Sequence, residues 1–258
     1  AGGEDIDSVS LTQGSSSITA PVVNASGGQV TTLMRDPSHK MGGLVDYSYG
    51  TLNLQRFFGR FDTGDIGNTG LSAYVSFSNG TAKNSLGPGR QMRRHIDFGF
   101  KKEFANGDRM KLVGSYVDMN YMYNPNPTLA DWQTSGRSYA WNGTFTPGSS
   151  DYWRQNRWKW EQIMMSLPSD FTLPGKVKLN VTPYFLYAMQ NSPASSTLSS
   201  DGNYYGTEPV SVTIPDAQAS GGSVRSDDVG VQSVGGFNAS LSRQFGVQKV
   251  TLGYWYQY

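Results

Sequence analysis

Segments of alternating apolar and polar residues recur along this chain, and the connections between them are by turns tight and long. After the first pair of segments, Asp65-Ile66-Gly67-Asn68, Ala105-Asn106-Gly107-Asp108, Leu173-Pro174-Gly175-Lys176 and Phe245-Gly246-Val247-Gln248 read as brief turns. The stretches between them, 81–90, 124–154 and 191–232, are longer. A sheet that crosses a bilayer and closes on itself has this rhythm, with short turns at one rim and long loops at the other. Most soluble all-β folds do not.

The cleanest segment is 71–78, where Leu71, Ala73, Val75 and Phe77 share one face and Ser72, Tyr74, Ser76 and Ser78 the other. Ile96, Phe98 and Phe100 oppose His95, Asp97 and Lys101 in the same way, and Phe57, Gly59 and Phe61 oppose Arg56, Arg60 and Asp62. Trp158, Trp160 and Met164 alternate with Arg157, Lys159 and Glu161, which places those charges on the polar face. The stretch 110–123 is apolar on both faces, and a bulge is expected to shift its register. Nine such segments lie between Gly43 and Tyr258, and no helix of convincing length or capping is evident.

Composition decides what kind of sheet this is. Charged residues make up 16 % of the chain and aromatic residues 13 %, against about 25 % charged in a typical soluble domain. A mean hydropathy of -0.46 does not oppose a membrane sheet, because every second residue of a barrel faces an aqueous lumen. No run approaches the roughly 18 apolar residues of a membrane helix, so any crossing is made by strands. The net charge is +1 and no basic stripe exists, which argues against nucleic acid. With no cysteine there is neither a disulfide framework nor a thiolate metal site.

Residues 1–41 break the pattern. Asp5-Ile6-Asp7-Ser8-Val9 reads as a short strand, followed by Gly14-Ser15-Ser16-Ser17, then Gly27-Gly28-Gln29-Val30, then Arg35-Asp36-Pro37. Together these resemble the end of the plug domain of TonB-dependent outer-membrane receptors. Gly42-Gly43 and Asp46-Tyr47-Ser48-Tyr49-Gly50 resemble that family's first barrel strand, and Arg60-Phe61-Asp62-Thr63-Gly64 through Tyr74 its second and third. Two departures stand out: Gln13-Gly14-Ser15 lacks the family's Gly-Pro, and Ala20-Pro21-Val22 holds the place of its Tyr-Gly.

The resemblance implies an all-β fold: part of an antiparallel transmembrane β-barrel of about 22 strands with a plugged lumen. Residues 1–41 would be the C-terminal part of the plug and 42–258 the N-terminal part of the barrel. Ala1-Gly2-Gly3-Glu4 is no signal peptide, and the chain reads as incomplete. The implied function is import of a scarce solute across a bacterial outer membrane, by default a ferric siderophore. An inner-membrane TonB complex, acting on a segment not in this chain, would drive it. The implied partners are the lipid bilayer, that complex and a small-molecule substrate such as a metal chelate. A passive porin, or a soluble β-rich binding module, is the alternative.

No catalytic constellation emerges. His39 and His95 are isolated, and there is no Gly-x-Ser-x-Gly elbow, P-loop or dinucleotide fingerprint, so neither an enzyme nor a cofactor is expected. Asp227-Asp228 raises a calcium ligand set, but the spacing matches no recognised calcium loop, and a solvated loop is the preferred reading. In the 124–154 loop, Tyr152 and Trp153, like Trp158 and Trp160 just after it, are read as packing the loop on itself and anchoring its ends at the membrane interface. For Trp132, Tyr139 and Trp141 two readings stand, self-packing of the loop or, with Arg137, contact with substrate. Arg35, Asp36, Arg60, Asp62, Asp97 and Arg157 are the expected polar contacts between plug and lumen.

Overall fold

The computed structural model describes residues 3–15, 27–197, 202–211 and 222–258. Ser16 and Ser17 and the Ala20-Pro21-Val22 stretch lie outside the described residues. Strands β1 (Ile6–Gln13) and β2 (Gly28–Met34) form an antiparallel hairpin. There follow β3 (Met41–Gly50), β4 (Leu54–Asp65), β5 (Leu71–Lys83), β6 (Arg90–Glu103) and β7 (Arg109–Met122). After them come β8 (Arg157–Ser166), β9 (Ser169–Leu173) and β10 (Val177–Asn191). Short β11 (Ala194–Thr197), β12 (Asn203–Tyr205), β13 (Glu208–Val210) and β14 (Ser223–Ser226) decorate the next loop. The last two are β15 (Val229–Phe245) and β16 (Gln248–Gln257).

The long strands make one antiparallel meander in the order β3-β4-β5-β6-β7-β8-β10-β15-β16. Strand β9 continues β8 in the same register, since Ser166 faces Tyr184 and Ser169 faces Val181 on β10. The break is Leu167-Pro168, where proline has no N–H for the ladder; the Lys111 and Leu167 amides bridge it by donating to Pro168 O and Pro183 O, each at 2.9 Å. Nine spans therefore correspond to the nine alternating segments. Connections 66–70, 104–108, 174–176 and 246–247 fall at one rim, and 84–89, 123–156 and 192–228 at the other. The β3–β4 link Thr51–Asn53 is the one tight turn on the long-loop rim, with Leu52 and Asn53 at φ 59° and 53°.

Cross-strand partners share a face, so register assigns sides. Arg60, Ser76, Asp97, Ser115, Met164 and Leu186 form an inner row, on the side of the β1–β2 hairpin. Val45, Gly59, Phe77, Ile96, Tyr116, Ile163 and Tyr187 form an outer row. The inner face buries polar groups, among them Ser76, Asp97, Lys101 and Ser115, while Val45, Phe57, Val75, Phe77, Ile96 and Phe100 lie exposed on the outer one. A water-soluble sandwich has the reverse arrangement.

Two local expectations are corrected. Strand β7 has no bulge: its register runs unbroken from Met92–Asn120 to Glu103–Arg109 and on to β8. Its inner apolar side chains are covered rather than displaced, Val117 being buried and Val113 lining a cavity under the hairpin. The register shift lies instead between Asp62 and Asp65, where Gly64 takes φ 69°. The second correction is a helix, α1 (Leu129–Ser135), inside the long loop. The Thr128 hydroxyl accepts from the Asp131 amide at 3.1 Å, and the Asp131 carboxylate accepts from the Thr128 amide at 3.2 Å. This capping box holds a helix too short for periodicity to reveal.

Candidate functional site

The hairpin meets the sheet through one buried arginine. A short 3-10 turn, Gly3–Asp5, carries Asp5 to the start of β1. There the Arg35 amide donates to Asp5 O at 2.8 Å, and Arg35 Nε donates to Ile6 O at 3.2 Å, closing the hairpin's open end. The Asp5 side chain is 1 % exposed. It accepts from Arg60 Nη1 at 2.8 Å and from Ser76 Oγ at 2.5 Å. Arg60 also donates from Nε and Nη2 to both oxygens of Asp62, at 2.8 and 2.9 Å, and from Nη2 to Asp36 O at 3.1 Å. Its guanidinium lies 3.9 Å from the Tyr74 ring centroid. The planar fork is thus shared between hairpin and wall, a task a lysine could not perform. Burial pushes the Asp5 carboxyl above its ordinary value, against the bonds from Ser76 and Arg60, and nearby Asp97 adds to the rise.

A second set of contacts pins the chain between hairpin and sheet. Asp36 accepts from Lys101 Nζ at 2.8 Å and from Lys111 Nζ at 2.6 Å, and Lys111 also donates to Met34 O at 2.5 Å. The Ser38 amide donates to Asp62 at 2.8 Å, and His39 pairs with Asp65 at 2.8 Å. Asp36, Lys101 and Lys111, with Arg109 and Asp170, line a cavity of about 500 Å³ between hairpin and wall. Burial alone would raise Asp36; the bonds from Lys101 and Lys111 outweigh it and hold the carboxyl below its ordinary 3.8.

That balance has a pH signature. A carboxyl held below its unfolded value contributes stability above that value and loses it as pH falls through the folded one. Asp36 should therefore stabilise docking fully above 3.8 and lose its contribution below. Asp5, shifted upward, has the opposite sign and favours the folded state as pH falls. Thermal unfolding of the full-length protein between about pH 6 and pH 3 checks this: Asp36→Asn should fall less steeply with acid than wild type. Identical slopes would refute the Asp36 assignment.

Of the residues singled out from sequence, Arg35, Asp36, Arg60 and Asp62 converge at this junction. Asp97 is buried one strand further on, paired in register with Ser76, with His95 Nε2 3.2 Å from its Oδ1. Arg157 is elsewhere: the register puts it on the outer face with Lys159 and Glu161. Lys159 pairs with Glu161 there at 2.6 Å, and Arg94 with Asp118 at 3.8 Å. Trp158 and Trp160 accordingly point inward, not to an outer interface, and Trp158 stacks on Tyr123 with centroids 5.4 Å apart. Asp5, Ser76, Tyr74 and Lys111 were not among the chosen residues. Asp5 did stand in the acidic-Ile motif, which was the available signal.

The loop candidates do not gather around one cavity. Trp132 and Tyr139 sit 6.4 Å apart by ring centroid, and the Tyr139 hydroxyl donates to Pro125 O. Trp141 Nε1 donates to Asn124 at 3.2 Å, and Asn124 in turn donates to Asn84 at 3.0 Å, tying this loop to residues 84–89. Only Trp141 of the four lines the nearby cavity of about 450 Å³, and Arg137 is exposed. In the following loop, Asp227 Oδ1 is taken by Arg225 at 2.7 Å and Asn191 at 2.8 Å.

No family model matches the sequence, and no curated protein matches it. Solved structures do. The pyoverdine outer-membrane receptor FpvA of Pseudomonas aeruginosa, bound to pyoverdine, superposes with a TM-score of 0.65 at 11 % identity, over 96 % of this chain and 34 % of its own. The ferric-catecholate import receptor Fiu of Escherichia coli gives 0.61 at 12 % over 95 % and 35 %. The siderophore receptor PiuA of Acinetobacter baumannii gives 0.56 at 14 % over 96 % and 34 %. This is the fold of the TonB-dependent outer-membrane receptors. The chain spans about a third of the length of each. The matched proteins are receptors and transporters rather than enzymes, and neither a porin nor a soluble module is favoured.

Proposed function

We propose that this chain is the plug end, residues 1–41, and the opening part of the barrel, residues 42–258, of a TonB-dependent receptor in a bacterial outer membrane. The observation that carries this reading is the buried junction of Asp5, Arg60 and Asp62. It fastens a hairpin to the polar side of a meander whose apolar side is exposed. In this reading the outer row of Phe77, Ile96 and Ile163 meets lipid, and the long loops face the exterior. The cargo is a scarce solute, a ferric siderophore by likeness to the pyoverdine, ferric-catecholate and siderophore receptors of the same fold. A pull from the inner-membrane TonB complex, delivered upstream of Asp5, would reach the Arg60 junction before the hairpin, because Asp5 precedes β1.

Uptake by cells carrying the full-length protein tests this. Import of ferric pyoverdine or a ferric catecholate should fall to background when a protonophore collapses the proton-motive force. Import that continues unchanged would mean diffusion through an open pore and end the energised reading.

A further inference from the structure

Toward the long-loop rim the outer face changes character. The alternation that turns Phe77 and Ile96 outward also turns Lys83 and Arg90 outward, and these two are register partners at the ends of β5 and β6. The loop joining them is tightly built. The Asn84 amide donates to Gly89 O at 3.0 Å, and its side chain, 4 % exposed as a residue, donates to Leu86 O at 2.7 Å and Asn124 at 3.0 Å. Trp153 lies against Gly89, where a Cβ would stand 3.1 Å from the indole and the backbone takes φ 109°. Only glycine suits that position. Arg154 then places its guanidinium 5.3 Å from the Trp153 ring centroid.

Lys83, Arg90, Arg154 and Trp153 thereby line one cleft of about 730 Å³. Among the described residues no acidic residue lines it, and none of the three cations has an ion-pair partner there. The outward cations lower on the same face, Lys159 and Arg94, are by contrast paired with Glu161 and Asp118. Three like charges around one cleft repel each other, and a multidentate anion relieves that repulsion. Guanidinium forks match phosphate oxygens, and the indole offers an apolar wall beside them.

We propose that this cleft binds a phosphate group, held by Lys83, Arg90 and Arg154. The cleft lies on the outer face three register rows beyond Phe77 and Ile96, on the side where phosphorylated lipid headgroups of the surrounding leaflet would lie; a soluble phosphate-bearing solute offers the same chemistry. The choice of source rests on the membrane reading above, and the anion chemistry does not.

Two arms separate the sources. Full-length protein in neutral detergent is titrated with inorganic pyrophosphate. The same protein is also reconstituted in phosphatidylcholine nanodiscs doped with phosphatidic acid, and retained lipid is read by native mass spectrometry. The K83Q/R90Q/R154Q variant should lose at least tenfold in pyrophosphate affinity, retained phosphatidic acid, or both. Arg94→Gln, outside the cleft, should match wild type, and the charge-keeping Arg154→Lys should lose less than the triple variant. All three side chains are exposed, so glutamine there leaves the packing intact. Loss confined to lipid assigns the phosphate to the leaflet; loss confined to pyrophosphate assigns it to a soluble solute. Equal binding by wild type and the triple variant on both arms overturns the proposal, whatever the protonophore experiment returns.

Discussion

Arg60→Met should release the N-terminal hairpin from the sheet, at a cost of about 3–5 kcal/mol to docking. The physical reason is the carboxylate left behind. Asp5 is 1 % exposed, and without Arg60 its side chain keeps the Ser76 hydroxyl as its hydrogen-bond partner among the described residues. Asp62 loses both of its arginine bonds in the same step. Amide hydrogen exchange in the full-length protein reads this directly, and protection of β1 and β2 should drop on the order of a hundredfold or more. Arg60→Lys should lose less, since the charge remains while the fork is lost. The variant carrying both Asp5→Asn and Arg60→Met should be milder than the sum of the two, because a buried charge no longer stands alone. Unchanged hairpin protection in Arg60→Met would show that the junction does not hold the hairpin.

How much of this was legible in the sequence differs from strand to strand. The nine spans were, because a sheet with one apolar and one polar face must write that difference with period two. Arg60 and Asp62 followed from the same rule, as charges on the polar face of β4. What the alternation does not say is which face looks inward. For β8 the usual cue, apolar outward, points the wrong way. Near the long-loop rim the inner face takes Tyr121 and Trp158, while Lys159, Glu161, Arg94 and Asp118 sit outside beyond the apolar rows. Only the register with β7 decides it. Asp5 was hidden for another reason: its partner Arg60 is 55 residues away, and no local pattern links them. The α1 helix was legible after all, in Thr128 and Asp131 rather than in any periodicity.

The second large effect is expected at a residue that has no side chain. Gly99 faces Tyr74 across the β5–β6 ladder, and a Cβ there would stand 2.3 Å from the tyrosine Cε1 and 2.9 Å from Cδ1. The ring has no easy retreat, being 2 % exposed and covered by the Arg60 guanidinium. Gly99→Ala must therefore push Tyr74 into Arg60 and loosen the hold on Asp5 and Asp62. Overpacking of this kind costs about 1–3 kcal/mol, with more expected for Gly99→Val. Gly42→Ala is the control, since a Cβ there meets nothing within 4 Å. The diagnostic is the coupling. With Arg60→Met already in place Tyr74 gains room, so Gly99→Ala should cost less, by about 0.5 kcal/mol or more. Hydrogen exchange of β1, β2, β5 and β6 in the four-member cycle measures this. If Gly99→Ala proves as harmless as Gly42→Ala, or its cost is the same with and without Arg60, then Tyr74 does not transmit strain from the wall to the hairpin.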